Sequence, residues 1–243
     1  MVLEQTASSV NIKERLDFSC AVFDQYGNLV ANAPHIPVHL GSMSDSIRVV
    51  IQGQPDMRPG DAFVLNTPYN GGTHLPDITV VKPVFTDGAK PAFYVAARGH
   101  HADIGGISPG SMPAESSHIE QEGVLLDNLL LMREGALQEQ NIRAALANTR
   151  YLTRNPEPNI ADLSAQLAAC EKGAQELLRL CQQYGEAAVQ AYMGYVQDNA
   201  AEVLSQALMS LADGQFSCDM DYGSRIQVAI QLDCQQGRAR IVF

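Results

Sequence analysis

The sequence predicts an α+β protein: a β-rich amino-terminal part with a mixed or antiparallel sheet, a long helical hairpin, then strands that return toward the C-terminus. Three observations carry this reading. Residues 1–123 consist of short apolar runs cut by Gly, Pro, Asn and Asp, the punctuation of strands and tight turns. Beyond Asn159, apolar residues recur four and three apart over several turns, which is the spacing of one helix face. After Asp213-Gly214 the pattern changes to period two, as a half-buried strand requires. The division that follows is 1–123 for the β-rich part with the candidate site, 124–213 for the helical part, and 214–243 for the C-terminal strands.

Leu16–Asp24 and Leu29–Ala33, around Gln25-Tyr-Gly-Asn28, predict a hairpin. Met43, Ile47 and Val50 give His39–Gln52 helical spacing. Asp61–Asn66, Ile78–Phe85 and Ala92–Ala97 predict strands, the last two turning through Asp87-Gly88. In the helical part, Leu163, Leu167, Cys170, Ala174, Leu177, Cys181 and Tyr184 form one apolar stripe. Asn159 is the expected N-cap, with Asp162 in the first turn and Pro156 and Pro158 stopping the chain before it. Gly185 interrupts the stripe. A second one, at Val189, Met193, Val196, Ala200, Val203 and Ala207, makes an antiparallel helix pair the expected arrangement, suited to scaffolding or subunit contact. Ile226, Val228, Ile230 and Leu232 alternate along Arg225–Asp233, and Gln235-Gln-Gly237 turns into Ala239–Phe243. The chain stops on Ile241-Val-Phe243 inside an apolar strand. It reads as a fragment of a longer domain, whose open edge and apolar stripes would drive assembly into an oligomer.

Composition removes several function classes. Of 243 residues, 46% are hydrophobic and 18% charged, which is globular composition. A net charge of −11 argues against nucleic acid or an anionic membrane surface as partner, since both require clustered Lys and Arg. No stretch has the length of a transmembrane helix, and the first ten residues lack the basic and apolar regions of a secretory signal. Cys20, Cys170, Cys181, Cys218 and Cys234 are widely spaced with no C-x-x-C, and read as reduced, cytoplasmic thiols.

All six histidines fall between His35 and His118. The densest polar cluster is Thr67-Pro-Tyr-Asn-Gly-Gly-Thr-His-Leu-Pro-Asp77. Imidazole and carboxylate together, here His74 and Asp77, make a donor set suited to Mn, Zn, Fe or Co. Gly71-Gly72 would let the backbone approach a ligand closely. A second cluster, Arg98-Gly-His-His-Ala-Asp-Ile-Gly-Gly106, follows the Ala92–Ala97 strand. Adjacent histidines on an extended chain point to opposite sides, so one of His100 and His101 faces a site while the other is buried or meets a different neighbour. Asp103 reads as a third ligand, as a carboxylate orienting an imidazole, or as a turn former. If Ile78–Phe85 and Ala92–Ala97 pair as a hairpin, chain direction alone brings His74 and Asp77 beside His100 and Asp103. In His35-Ile-Pro-Val-His39, the second histidine sits at a helix entry, as an acid/base group, a substrate contact, or a ring satisfied by backbone carbonyls. The expected metal set is thus His74, Asp77 and His100, with His39, His101 and Asp103 as catalytic candidates. No G-x-x-x-x-G-K-[ST] or G-x-S-x-G motif is present.

Four ordered stretches resemble the hydantoinase B/oxoprolinase family: Asn11–Asp24, His35–Met43, Asn70–Asp77 and Arg98–Pro113. One departure is visible, Asn66-Thr67-Pro68 standing where the family usually has Asn-Asp-Pro. The family's domain also continues past Phe243 into a D-F-S-G-T-like segment. The resemblance implies a two-component, ATP-dependent system. A hydantoinase A-like ATPase subunit or domain binds ATP and Mg²⁺ and phosphorylates the amide oxygen of a small cyclic substrate. The B component then opens the activated ring, 5-oxoproline to glutamate or a hydantoin. Related acetone carboxylases carry manganese in the corresponding subunit, and a carboxylase-like member or an inactive interaction scaffold are the alternatives. A divalent metal, Mn or Zn, is the implied cofactor, with His74 and Asp77 fitting its ligand pattern best.

Overall fold

The computed structural model of the chain describes residues 2–33 and 36–243. Two short helices, Val2–Thr6 (α1) and Val10–Lys13 (α2), lead into the expected hairpin of Phe18–Phe23 (β1) and Leu29–Ala33 (β2). Its turn is held by the Asp24 carboxylate, which accepts from the amides of Tyr26 and Asn28, with Gly27 at φ +81°. Pro37–Gly53 (α3) begins with proline at its first position, where no amide donor is missed.

The remaining strands of the first sheet are Ala62–Leu65 (β3), Asp77–Val84 (β4), Phe93–His100 (β5), Leu129–Arg133 (β6) and Ala136–Leu137 (β7). They give an antiparallel seven-stranded sheet ordered β2-β1-β5-β4-β3-β6-β7. β6 and β7 lie in a stretch expected to be helical. Leu129-Leu-Leu-Met is an apolar run too short to show either period, and pairing with the buried β3 decides it.

Glu139–Ala147 (α4) precedes Pro156–Tyr184 (α5), which crosses β4 and β5 on the face opposite α3. Leu163, Cys170, Ala174 and Leu177 of the predicted stripe are buried there. The start of α5 corrects the sequence reading: the N-cap is Asn155, whose side chain accepts from the Glu157 amide. Pro156 and Pro158 do not stop the helix but occupy its first turn, where the amides have no intrahelical acceptor to lose. Asn159 is instead a buried residue within the helix.

Two compact units divide within Glu186–Leu208 (α6), one running through Gln190 and the other Ala191–Phe243. In the second, Gly214–Asp219 (β8), Arg225–Asp233 (β9) and Arg238–Val242 (β10) form a separate antiparallel sheet ordered β10-β9-β8. Of the second predicted stripe only Met193 is buried, while Val196 and Val203 are exposed. Among the described residues no helix is long and apolar enough to cross a membrane.

Candidate metal centre

The sheet face beneath α3 changes character along its strands. At one end Ala21, Val81 and Ala96 pack against Met43, Ile47 and Val50. Two residues along each strand the same face carries Ser19, Thr79 and Arg98, and two further on it carries Asp77 and His100. Asp77 pairs directly with His100 across the β4–β5 hairpin, and the His100 amide donates to the carbonyl of Asp17. The antiparallel register therefore delivers these groups to one sheet edge, and α3 brings His39 over them.

Asp77 is the hub, with 1% of its side chain exposed. Its Oδ2 lies 3.2 Å from His39 Nε2 and 3.1 Å from His74 Nδ1, and accepts from the Thr73 hydroxyl at 3.0 Å. Its Oδ1 is buried and has no hydrogen-bond partner. Burial pushes the Asp77 carboxyl up, but the hydrogen bonds from His39 and His74 outweigh it and hold the group well below the usual carboxylate range. The hydrogen bond to Asp77 in turn raises the pKa of His74 against the opposing effect of burial. His39 Nδ1 lies 3.0 Å from the Ser19 hydroxyl, so the ring can donate from Nε2 to Asp77 or, with a cation on Nε2, from Nδ1 to Ser19.

Asp17, His39 and Asp77 each offer a ligand atom, all within 4.8 Å of one another. His74 and His100 border this trio, their ring centroids 5.1 Å apart. His100 Nδ1 lies 2.9 Å from the Asn11 side-chain Nδ2 and 3.0 Å from the His101 carbonyl oxygen. The donor set is that of a borderline divalent cation such as Mn²⁺ or Zn²⁺, and the spare buried oxygen of Asp77 is a position such an ion would satisfy. The residues present fit the metal that the family resemblance implies.

Four of the six sequence candidates, His39, His74, Asp77 and His100, thus come together, and two do not. His101 is fully buried on the opposite sheet face, toward α5. Gln166 Nε2 donates to the carbonyls of Ile78 and Ala97, so its Oε1 must accept from His101 Nε2 at 3.1 Å. His101 Nδ1 then accepts from Asn159, and burial lowers the pKa of the ring, keeping it neutral. Both nitrogens are committed to structure. His101→Leu is therefore expected to destabilise the fold by about 2–3 kcal/mol, through unpaired Gln166 and Asn159, while changing Mn²⁺ affinity less than about threefold. Urea unfolding and calorimetric titration of that variant check both halves. Asp103 is a turn former: its carboxylate accepts from the amides of Gly105 and Gly110 and pairs with Arg154 at 2.7 Å.

Gly71 and Gly72 admit close approach, but of the chain's own backbone. A Cβ on Gly72 would lie 2.3 Å from the Asn66 carbonyl oxygen, and Gly71, at φ +83°, packs on Ser46. Thr67, at the position of the family departure, donates its hydroxyl to the Leu126 carbonyl. His35 lies outside the described residues. Asp17 was not legible locally, because it is one acid in a charged segment and gains its neighbours only when β1 pairs with β5. Beside the centre, a cleft of ≈ 330 Å³ is lined by His74, Pro76, Ser111, Met112, Pro113, Ala114 and Glu122.

The sequence profile described as Hydantoinase B/oxoprolinase matches residues 1–243. The chain belongs to that family. It is 43% identical to 5-oxoprolinase 1 of Arabidopsis thaliana and 44% identical to 5-oxoprolinase of Saccharomyces cerevisiae, over 99% and 94% of its own length. It spans only 21% and 19% of those two relatives. The caprolactamase subunit beta of Pseudomonas jessenii is 30% identical over 89% of the chain, which spans 37% of that subunit. Among solved structures, the ATP-dependent caprolactamase of Pseudomonas jessenii superposes with a TM-score of 0.85 at 28% identity, over 99% of this chain and 42% of that one. Nucleotide-free acetone carboxylase gives a TM-score of 0.82 at 17% identity, over 98% of this chain and 34% of that one, a likeness of fold alone.

Proposed function

We propose that this chain carries the hydrolytic centre of an ATP-dependent cyclic amide hydrolase of the 5-oxoprolinase/hydantoinase type. It acts on a small ring such as 5-oxoproline or a hydantoin. ATP and Mg²⁺ belong to a hydantoinase A-like subunit or domain, not to this chain. The observation that carries the reading is the buried Asp77, with two imidazoles on one oxygen and the other unpartnered, in a family whose relatives here are named for opening lactams.

An unstrained amide is a poor electrophile with a poor leaving group, so ring opening needs an activated carbonyl and a strong nucleophile. A divalent cation held by Asp17, His39 and Asp77 would supply Lewis-acid polarisation and lower the pKa of a water. The chain's own residues supply the rest. Asp77 accepts from His74 Nδ1, which fixes the ring and leaves Nε2 as the basic nitrogen at the edge of the cleft. There it can take a proton from water and return it to the departing amide nitrogen. Pro76, Met112 and Pro113 give the cleft apolar walls for a small ring, with His74, Ser111 and Glu122 as its polar groups.

The test is ring opening by the full-length protein assembled with its hydantoinase A-like component. Glutamate release from 5-oxo-L-proline and ADP release are followed with ATP, before and after metal chelation. ATP-dependent opening that chelation abolishes and Mn²⁺ or Zn²⁺ restores supports the reading. Since ATP hydrolysis also needs Mg²⁺, the chelation arm is run with Mg²⁺ replenished. Opening that persists in the metal-stripped, Mg²⁺-replenished protein overturns it.

A further inference from the structure

Arg98 is fully buried on β5, and a guanidinium at such a depth ordinarily faces a carboxylate. Here its partners are hydroxyls. Nε donates to Thr79 Oγ1 at 2.7 Å, one terminal nitrogen to Ser42 Oγ at 2.5 Å, and the other to Ser46 Oγ at 2.7 Å. Among the described residues no carboxylate lies within ion-pairing distance of it, and Asp77 is the anion whose field it feels.

Those hydroxyls belong to different parts of the fold. Thr79 is the residue paired with Arg98 across the β4–β5 ladder. Ser42 and Ser46 stand one turn apart on the sheet-facing side of α3, a spacing that the planar guanidinium fork matches and a lysine cannot span. The Ser46 hydroxyl donates onward to the carbonyl of Gly71, at the head of the loop that carries Thr73 and His74. His39 lies three residues before Ser42 on α3, and His100 two residues after Arg98 on the same strand face. One buried cation on β5 is thus bonded, directly or through a single serine, to β4, to α3 and to the loop of Thr73 and His74, the elements that carry Asp77 and three groups hydrogen-bonded to it.

We propose that Arg98 is the positioning residue of this centre, clamping α3 and the Gly71–His74 loop onto the β4–β5 hairpin so that His39 and His74 meet Asp77. Arg98 touches none of the ligand atoms. Its effect passes through Ser42, Ser46 and Thr79, whose hydroxyls accept from the charge and relay it. The inference rests on the metal-centre reading for its affinity readout, and on the geometry alone for its spectroscopic one.

The test uses the chain with three variants: Arg98→Met, Arg98→Lys and the double change Ser42→Ala with Ser46→Ala. Calorimetry measures Mn²⁺ and Zn²⁺ affinity, and ring ¹⁵N shifts of His39 and His74 at one fixed pH report their hydrogen bonds to Asp77. Arg98→Met and the serine pair are expected to weaken cation binding by about 10–100-fold, the range for groups that orient ligands. Both should move the His39 and His74 ring signals, and Arg98→Lys should not restore them. The serine pair keeps the buried charge and answers the question if Arg98→Met fails to fold. Wild-type ring shifts in a folded serine-pair variant overturn the positioning role. A wild-type chain that binds neither ion removes the metal reading, while the ring shifts still decide the clamp.

Discussion

Asp77→Asn is expected to reduce Mn²⁺ and Zn²⁺ affinity by at least about 100-fold and to destabilise the chain by about 3–5 kcal/mol, the cost of removing one charge from a buried ionic cluster. Asparagine preserves volume, so packing is not what changes. The substituted amide presents one acceptor oxygen where three donors converge, from His39, His74 and Thr73, and its NH₂ must face one of them or the site left by Oδ1. Arg98 loses the anion whose field favours its charge. Calorimetric titration and urea unfolding read the two effects separately. Under the proposed function, ring opening by the assembled protein should fall with the affinity. Wild-type cation affinity in Asp77→Asn would remove Asp77 from the centre.

Asn66→Ala should be nearly as damaging, although Asn66 touches no ligand. Its Nδ2 donates to the carbonyls of Leu75 and Val124, and its Oδ1 accepts from the Leu126 amide, all in a fully buried position. Truncation leaves two carbonyls and one amide without partners, at about 1–3 kcal/mol for each unsatisfied group, so a loss of at least about 3 kcal/mol follows. The bonds tie the loop that precedes β4 to the segment leading into β6, and that loop carries Thr73 and His74. Cation affinity should therefore drop in any fraction that remains folded. Asn66→Asp keeps the acceptor but sets a buried carboxylate against the Leu75 and Val124 carbonyls, and should be no more stable than Asn66→Ala in urea unfolding at neutral pH if the lost donors are the cause. An Asn66→Ala chain with wild-type stability would show that the loop is held by its other contacts.

Much of this architecture is readable from local chemistry. Turn residues isolate β1 through β5, Met43, Ile47 and Val50 place α3, and chain direction in the β4–β5 hairpin brings His74 and Asp77 to His100. Reading fails where the outcome depends on distant partners. Leu129–Arg133 is a strand because β3 offers it an edge. Pro156 and Pro158 open α5 because Asn155 caps it, a distinction that proline alone does not encode. Period two shows that His100 and His101 face apart, but which one faces the centre is set by Gln166 and Asn159 on a helix far along the chain. Asp17 gains meaning only from the β1–β5 ladder.

That ladder also sets the order in which the centre can come into being. β4 and β5 are neighbours in sequence, and their hairpin aligns Asp77 with His100 at the small entropic cost of a short loop. Phe18 meets Gly99 only after the hairpin, α3 and β3 that separate them have been folded out of the way. Long-range closures of this kind dominate folding times in sheet proteins. Asp17 and His39 therefore arrive at a hairpin already carrying its half of the site. Tight capture of an ion by the proposed centre is then expected to be a late event, a mark of the finished sheet.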